Sequence, residues 1–588
     1  MNPFSPSTHL LLVILAPLVG ALAAWLLGSR GLAAVRQSAA VTTLVTLFLA
    51  AWLVARYLAS PEAAAGRPFG VSEAAWLVDG PLDIRLGLGL DGLSLWLFAL
   101  SALLSVTAVM VSWEAVREKT VGFYALLLVL EAAMLGVFAA RDVILFYVFF
   151  EFTLVPLFFL IGIWGHDDRR RAAVKFFIYT LAGSVLAFLG LLTIVLWNAA
   201  HTGTLSFDIA TLTAGLAAHP LPMDARGGWL QWWVFLALFA GFAVKVPIVP
   251  FHTWLPLAHV EAPTGGSVDL AGVLLKIGIY GFLRFSLPML PEATAAAAPW
   301  IFGLGVVGIL YGALVALAQT DLKRLIAYSS VSHMGYCVMG LAALEPVAVE
   351  GATLQLVNHG LSAAGLFALV GMIYERYHTR SIANLGGIAA RAPWLTVMFM
   401  LFTFSSIGLP GLNGFVGEFM ILIGSFQRAW GGVSAAWRPA YLAMAVSAVA
   451  GVVLGAWYML WAVERVFFGP SREPPRDHGG HEAPAAAHAH ADGHGASHGH
   501  GDGHGHGAPA VPTDDLRWYE WLAVAPPAAL ALWIGLFPAT FLAPSAAAVR
   551  SAMAPGAAAL AARMEAGDAV TARLPAPPPL TAHLDPIP

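Results

Sequence analysis

Residues 243–254 read AVKVPIVPFHTW and place a lysine beside two prolines inside an otherwise apolar stretch. Each proline lacks a backbone N–H and removes the helix hydrogen bond to the residue four positions earlier. Pro247 and Pro250 therefore release two carbonyls that flank Lys245. Unpaired backbone at membrane depth is tolerated only where protein or water meets it. The stretch predicts a membrane helix that breaks at a hydrated site, although a lysine near a helix end can also simply extend toward the surface.

The composition of the whole chain is that of a membrane protein. Hydrophobic residues make up 59% and charged residues 11%, and the mean hydropathy is +0.76, whereas soluble domains carry about 25% charged residues. No basic run is long enough to indicate a nucleic-acid partner. An iron–sulfur cluster needs several cysteine ligands, and the sequence holds only Cys337. The N-terminus, MNPFSPSTHL, lacks the basic region of a cleaved signal peptide, so the first apolar run is predicted to stay as a span.

Fourteen apolar runs are long enough for membrane helices of about 20 residues. They are too long for the alternating strands of a membrane β-barrel. The predicted fold class is an all-α polytopic membrane protein with about 14 transmembrane helices, embedded in the lipid bilayer. The runs lie near 8–28, 33–57, 87–113, 118–138, 142–163, 172–198, 229–250, 265–288, 299–319, 323–343, 350–376, 395–426, 440–468 and 517–545.

Basic residues are unevenly distributed between the connecting loops. Most of the arginines and lysines, including the cluster at 169–171, follow odd-numbered runs. The positive-inside rule places such loops in the cytoplasm. The sequence therefore predicts a bacterial inner (cytoplasmic) membrane protein with both termini on the periplasmic side.

Two predicted helix breaks suggest an internal repeat. The seventh run breaks at Pro247 and Pro250, and the twelfth breaks at Pro410, which has glycines on both sides. The breaks are five helices apart, and a repeat with an odd number of helices inverts its topology, as in many transporters. The predicted organisation is a three-helix segment at 1–113, two inverted five-helix repeats at 118–288 and 299–468, each with a broken helix, and a last transmembrane helix at 517–545.

Two segments are predicted to lie outside the membrane. Residues 471–513 form a Pro/Gly/Ala/His-rich cytoplasmic loop that is predicted to be disordered. Residues 546–588 form an Ala/Pro-rich tail that is predicted to begin with a short interfacial helix. The loop histidines could buffer metal ions, but a tolerated low-complexity insertion is the simpler interpretation. They include His488, His490, His498, His500, His504 and His506.

Buried charges are the main indication of function. Glu151 lies in FYVFFEFTLVPLFFLIGIWG (146–165), and Lys276 lies in GVLLKIGIYG (272–281). Charges at such depth are expensive, and they are retained because they move protons, pair with a substrate or balance another buried charge. Glu151 and Lys245 are predicted to form a pair that one proton switches. A static buried ion pair is the alternative.

Further candidates follow in the second predicted repeat. His333 in SSVSHMG (329–335) and His359 in NHGLSAAG (358–365) could pass protons as neutral imidazoles, or they could be hydrogen-bonded packing residues. Glu131 in the fourth run could be a relay or could be simply paired, and it is not ranked with the others. The predicted proton-translocation residues are Glu151, Lys245, Lys276, His333, His359 and Glu418, the last of which follows GLPGLNG (408–414).

Three long segments carry a family resemblance. FAVKVPIVPFHTWLPLAHVEAPTGGSVDLAGVLLKIGIYG (242–281), DLKRLIAYSSVSHMGY (321–336) and GLPGLNGFVGEF (408–419) resemble the antiporter-like membrane subunits of proton-pumping NADH:quinone oxidoreductase, respiratory complex I. The resemblance extends over about 80–545. Within that family, a glutamate at the position of Glu418 is typical of the M-type branch.

The resemblance implies roles for the matching residues. It implies that Glu151 and Lys245 are the input pair, Lys276 the central lysine, His333 and His359 the relay, and Glu418 the output carboxylate. Neighbouring antiporter-like subunits would be partners. NADH-to-quinone electron transfer would take place in partner subunits that hold FMN, iron–sulfur clusters and quinone, and this chain would contain no redox centre. The family's usual WLPDAH reads WLPLAH here, so Leu257 replaces an acid.

Three other interpretations remain open. A subunit of a multi-subunit sodium/proton antiporter would share the fold and most motifs, but it would have no redox partner. A membrane-bound hydrogenase subunit would have a similar architecture. A purely structural scaffold agrees poorly with broken helices that carry buried charges.

Overall fold

The computed structural model describes residues 5–79, 82–224, 226–433, 436–472 and 515–571. Within these ranges the chain is mainly helical. Ten helical segments of the described chain are long and apolar enough to cross a membrane, and shorter apolar helices of 10–17 residues accompany them. The predicted α-helical membrane fold is therefore confirmed. The total of fourteen spans and the two inverted repeats stay predictions.

The N-terminal part combines helices with a β-hairpin. Its elements are α1 (Pro6–Leu26), α2 (Leu32–Leu58), α3 (Pro61–Ala64), β1 (Phe69–Asp79), β2 (Leu82–Leu90) and α4 (Leu95–Val111). Strands β1 and β2 pair in antiparallel fashion, and the short β3 (Leu205–Ser206) joins β2 in parallel.

The middle part contains the first helix break. Its helices are α5 (Thr120–Ala139), α6 (Val143–Phe152), α7 (Leu154–Trp164), α8 (Arg169–Thr202), α9 (Ile209–Ala218), α10 (Leu230–Lys245), α11 (Trp254–Glu261), α12 (Thr264–Asp269), α13 (Leu275–Gly281) and α14 (Leu287–Met289). Two π-helical turns, Leu270–Leu274 and Phe282–Ser286, join the last three into one span, Thr264–Met289.

The C-terminal part contains the second break. Its helices are α15 (Pro291–Leu317), α16 (Leu322–Ala343), α17 (Pro346–Tyr377), α18 (Ile388–Arg391), α19 (Pro393–Ser406), α20 (Asn413–Gly431), α21 (Arg438–Val463), α22 (Trp518–Leu536) and α23 (Ala539–Thr571). A π-helical turn, Glu464–Phe468, extends α21.

Two spans lie at the centre of the molecule. Helix α17 and the span Thr264–Met289 are buried almost throughout, whereas α1, α2 and α21 expose a large part of their apolar surface. Helix α17 packs against α4, α12, α16, α19, α20 and α22. Polar side chains on these two spans are consequently shielded from lipid by protein.

The structure differs from the sequence prediction at the start of the third run. The run is predicted from residue 87, but residues up to Leu90 form β2, and α4 begins only at Leu95. The segment LGLGL (86–90) alternates with a period of two residues, which is the pattern of a strand. Its glycines also disfavour a helix.

The end of the chain differs as well. Helix α22 ends at Leu536, and α23 is a separate helix of 33 residues where a short one is predicted. Its alanine-rich sequence favours a long helix. Val549, Met553 and Leu560 are buried along its length, and α23 packs against α14, α15 and α17.

An ion pair ties the hairpin to the central span. Asp91 lies directly after β2, and its two carboxylate oxygens accept from Nη1 and Nη2 of Arg284 at 2.6 and 2.8 Å. Both side chains are largely buried. Burial alone would raise the pKa of Asp91, but Arg284 outweighs this effect and lowers the pKa to about 2.

Replacing Asp91 with asparagine is expected to destabilise the fold by about 2 kcal/mol at pH 7, because Arg284 loses a charged acceptor. The pKa of Asp91 is lower in the folded state, so its contribution is present above about pH 4 and is lost as the pH falls toward 2. Thermal unfolding of wild type and Asp91→Asn should therefore differ at neutral pH and converge in acid. Asp167→Asn, at an exposed aspartate, serves as the control, and an equal loss in both variants would contradict this role.

Candidate functional site

The first helix break surrounds Lys245. Helix α10 ends at Lys245, and α11 begins at Trp254 after the segment that contains both prolines. Later groups take up the carbonyls at the end of α10. The Ile248 N–H donates to the Ala243 carbonyl at 2.9 Å, and Nε1 of Trp254 donates to the Val244 carbonyl at 2.9 Å. The break is thus held in place by its own backbone and one indole.

The side chain of Lys245 lies against α6. It is buried, and its Nζ lies 4.5 Å from the ring centroid of Phe150. Within the described residues this ammonium has no hydrogen-bond partner. Glu151, the next residue of α6, interacts electrostatically with Lys245 and also with Tyr147 and Ser184. Glu151 and Lys245 therefore interact through charge without a hydrogen bond between them, and a phenylalanine ring lies beside the ammonium.

Lys276 lies at the centre of the molecule, directly after a π-helical turn. The turn Leu270–Leu274 shifts the backbone hydrogen-bond register, and Nζ of Lys276 donates to the Ala271 carbonyl within it. Single π-turns of this kind often occur at functional sites. The same Nζ lies 2.9 Å from Nδ1 of His359 on α17. The lysine thus bridges its own helix and the central helix.

From His359 the contacts continue toward α20. The rings of His359 and His333 have centroids 5.7 Å apart. Nδ1 of His333 lies 2.7 Å from Oε1 of Glu418, and Nε2 of Gln355 donates to the same oxygen at 3.0 Å. Lys276, His359, His333 and Glu418 therefore form one connected series of titratable groups. We call this series the polar axis.

The second helix break lies beside the end of the polar axis. The chain turns between α19 and α20 through Gly408, Pro410 and Gly411, and the two glycines have φ of +75° and +93°, which other residues rarely adopt. Two hydrogen bonds hold the turn against α17. Nδ2 of Asn358 donates to the Asn413 carbonyl at 2.8 Å, and Nδ2 of Asn413 donates to the Asn358 carbonyl at 3.1 Å.

Sequence reasoning missed His259. This histidine lies on α11, just after the first break, and it is fully buried. Its ring stacks on Phe367 with centroids 4.5 Å apart, and neither ring nitrogen has a hydrogen-bond partner among the described residues. It interacts electrostatically with Lys276 and Lys323. The available signal was a histidine nine residues after Pro250, within WLPLAHV (254–260).

Leu257 and the histidine-rich loop are two further features that the sequence analysis named. Leu257 is partly buried and packs against the apolar core. The histidines of the 471–513 loop lie outside the described residues. In the part of the chain that the structure describes, no group of three or more His, Cys, Asp or Glu side chains is arranged to hold a metal ion.

Comparison with known proteins identifies the family. The model of the NADH:quinone oxidoreductase/Mrp antiporter transmembrane family matches residues 140–438, which include both helix breaks and the whole polar axis. The chain belongs to this family. The resemblance stated from the motifs is thereby confirmed.

Several members of the NADH:quinone oxidoreductase/Mrp antiporter family are similar over most of the chain. The NADH-quinone oxidoreductase subunit M of Pseudomonas aeruginosa is 41% identical, with 78% of this chain and 88% of the relative covered. The subunit M of Escherichia coli K12 is 42% identical, with 78% and 87% covered.

Two solved structures share the fold of this chain. A chain of respiratory complex I from Thermus thermophilus with bound NADH superposes with a TM-score of 0.74 at 29% identity, with 94% of this chain and 99% of that chain covered. A chain of the Mrp complex from a Dietzia species gives a TM-score of 0.71 at 21% identity, with 97% and 57% covered. The second likeness concerns the fold alone.

Proposed function

We propose that this chain is the M-type, antiporter-like, proton-translocating membrane subunit of a bacterial NADH:quinone oxidoreductase. The observation that carries the proposal is the polar axis, in which Lys276, His359, His333 and Glu418 are linked by two contacts of 2.7–2.9 Å and one pair of neighbouring rings. Such a series can pass protons between lysine, imidazole and carboxylate. The relatives named subunit M and the complex I chain support the same assignment.

The proposed mechanism has four steps. A rearrangement in a neighbouring subunit first shifts the Glu151–Lys245 pair, and Lys245 then changes its proton affinity. Charge next passes through water to Lys276 and on to His359 and His333. A proton is finally released to the periplasmic side from Glu418. Coupling between the Glu151–Lys245 pair and the polar axis is electrostatic, because charges interact over long distances in a low-dielectric interior.

The partner subunits and the membrane complete this function. FMN, iron–sulfur clusters and quinone are assigned to partner subunits, and other membrane subunits of complex I, among them neighbouring antiporter-like subunits, are the partners. We place the chain in the bacterial inner membrane with both termini periplasmic. The breaks at α10/α11 and α19/α20 support two inverted five-helix units, 118–288 and 299–468.

The Glu151→Gln variant tests the input pair. Glutamine keeps the shape of the side chain but removes the charge that interacts with Lys245. NADH-driven proton pumping and coupled turnover are therefore expected to fall about tenfold, which is the scale of losing the coupling between two sites. Assembly should survive, as judged by a native gel in which mass spectrometry locates this chain in the NADH-active band. Glu118→Gln, at an exposed glutamate, is the matched control. Normal pumping by a fully assembled Glu151→Gln complex would disprove the role.

The second candidate function is a subunit of a multi-subunit sodium/proton antiporter. The shared fold with the Mrp complex chain favours it. A native gel of mildly solubilised membranes, stained for NADH dehydrogenase activity, separates the two functions. We expect mass spectrometry to locate this chain in a large NADH-active band, whereas a smaller inactive band and sodium-dependent proton flux in vesicles would favour the antiporter.

A further inference from the structure

Two buried carboxyl groups lie outside the polar axis. Glu131 on α5 is 0% exposed, and Asp269 at the end of α12 is 1% exposed. Within the described residues, none of the four carboxyl oxygens of this pair has a hydrogen-bond partner. The proposed mechanism uses neither residue. An unpartnered buried carboxylate is so unfavourable that a further ligand is expected at each.

Glu131 faces α4 at the level of Ser105. Near the start of α5, the Tyr124 hydroxyl donates to the Ser112 carbonyl at the end of α4, at 3.0 Å. Helices α4 and α5 are consecutive and antiparallel. Glu131 lies seven residues after Tyr124, and Ser105 lies seven residues before Ser112. Seven residues are about two helical turns, so each pair shares one face and Glu131 comes level with Ser105.

Asp269 approaches Ser105 from the other side. At the start of α12, Gly265 packs so closely on α4 that a Cβ there would collide with the Ser112 hydroxyl and lie 2.8 Å from the Ala108 carbonyl. Asp269 lies four residues later and therefore on the same face of α12. Helix α12 then continues along α4. The two carboxyl groups converge here and interact electrostatically.

The side chains around Glu131 and Asp269 provide a hydrogen-bond acceptor but no positive charge. The Ser105 hydroxyl donates to the Ser101 carbonyl at 2.9 Å, so its oxygen is left to accept. Helices α4 and α7, which pack on α12, carry no acidic or basic side chain. The other acidic, basic and histidine side chains on helices packed against α5 or α12 have no electrostatic interaction with Glu131 or Asp269. They are Glu151, which interacts with Lys245, His359, which contacts Lys276, and Glu350, Glu375, Arg376, His9, Arg36 and Arg56.

We propose that Glu131 and Asp269 form a proton-binding site that holds at least one proton. One carboxylate takes a proton from a hydronium ion and releases water, so the site carries one negative charge at most. Two adjacent carboxylates cannot both stay ionised in an apolar interior, and the protonated carboxyl group can donate to its partner or, through water, to Ser105. The inference does not depend on the proposed function, because it concerns occupancy of the site and not the direction of proton transfer.

Infrared spectroscopy of the assembled complex at neutral pH tests the site. The difference spectrum of wild type minus Glu131→Gln, or of wild type minus Asp269→Asn, is expected to contain the C=O stretching band of a protonated carboxylic acid. Ser105→Ala should shift that band, because an acceptor is lost. Glu73→Gln, at an exposed carboxylate, should remove only the bands of an ionised carboxylate.

Absence of a carboxylic-acid band from both difference spectra would overturn the site. If either Glu131→Gln or Asp269→Asn fails to assemble, the spectra of the other variant and of Ser105→Ala show whether the band is present. Pumping by Glu151→Gln is measured on the same preparations. If Glu151→Gln lowers pumping as expected but no such band exists, only the proton-binding site is contradicted. If the band exists but Glu151→Gln pumps normally, only the proposed function is contradicted.

Discussion

Replacing Lys276 with methionine is expected to lower NADH-driven proton pumping about 100-fold, which is the scale of losing a positioned proton-transfer group. Methionine fills a similar volume, so packing in the buried centre is largely retained. The ammonium that bridges the Ala271 carbonyl and Nδ1 of His359 is lost. The polar axis is then cut at its first contact, and His359 has no proton donor on the α13 side.

Proton pumping by membrane vesicles, followed with a pH-sensitive dye, measures this effect. Lys119→Met is the control, because Lys119 is exposed in a loop and lies far along the chain from the axis. A native gel stained for NADH dehydrogenase activity, with mass spectrometry of the active band, shows whether the variant chain has assembled. Pumping near the wild-type rate by assembled Lys276→Met would remove the lysine from the pathway.

Replacing Glu520 with glutamine is expected to destabilise the docking of α22 on α17 by about 3 kcal/mol, as is usual when a buried ion pair loses one partner. Nη1 and Nη2 of Arg376 donate to the two carboxylate oxygens of Glu520 at 2.7 and 2.6 Å. Both side chains are almost fully buried. Glu520 also accepts from the Arg517 N–H at 2.8 Å and so caps α22.

Thermal unfolding of the purified protein and its yield in membranes measure the loss. The matched control is Glu73→Gln, which removes the charge from a pair with Arg85 at 3.6 Å whose side chains are about half exposed. Exposed pairs contribute about 0–1 kcal/mol, so the control should unfold near the wild-type temperature. Equal stability of Glu520→Gln and wild type would show that the pair does not hold α22.

Hydropathy was sufficient to locate the ten long apolar helical segments of the described chain, because a span of some 20 apolar residues is a strong and local signal. Each of the fourteen predicted runs overlaps a helix of the structure. The details depended on weaker signals. The break of the fifth run between α6 and α7 at Thr153 was not predicted, although Pro156 lies three residues later. Hydropathy did not separate strand β2 from α4, because the leucines of the strand are as apolar as those of a helix.

The candidate site was predictable as a set of residues but not as an arrangement. A charge in an apolar run is visible in the sequence, and Lys276 and Glu418 were found in this way. Contacts such as His333 with Glu418 join residues 85 positions apart, so only the folded chain shows them. Asp269 carried the same signal as Glu151, a carboxylate within an apolar run, and was overlooked.

The π-helical turn before Lys276 has a consequence for sequence evolution. A π-turn corresponds to one residue inserted into an α-helix, so deletion of a single residue within Leu270–Leu274 would restore a regular helix. Each residue of an α-helix advances the side-chain direction by about 100°. Because the wider π-turn absorbs its extra residue within one turn, Lys276 would keep nearly the same direction after such a deletion, whereas a deletion in a regular turn of the same span would rotate it by about 100°. A single-residue deletion is therefore expected to be tolerated better within Leu270–Leu274 than in the regular helical turns on either side of it.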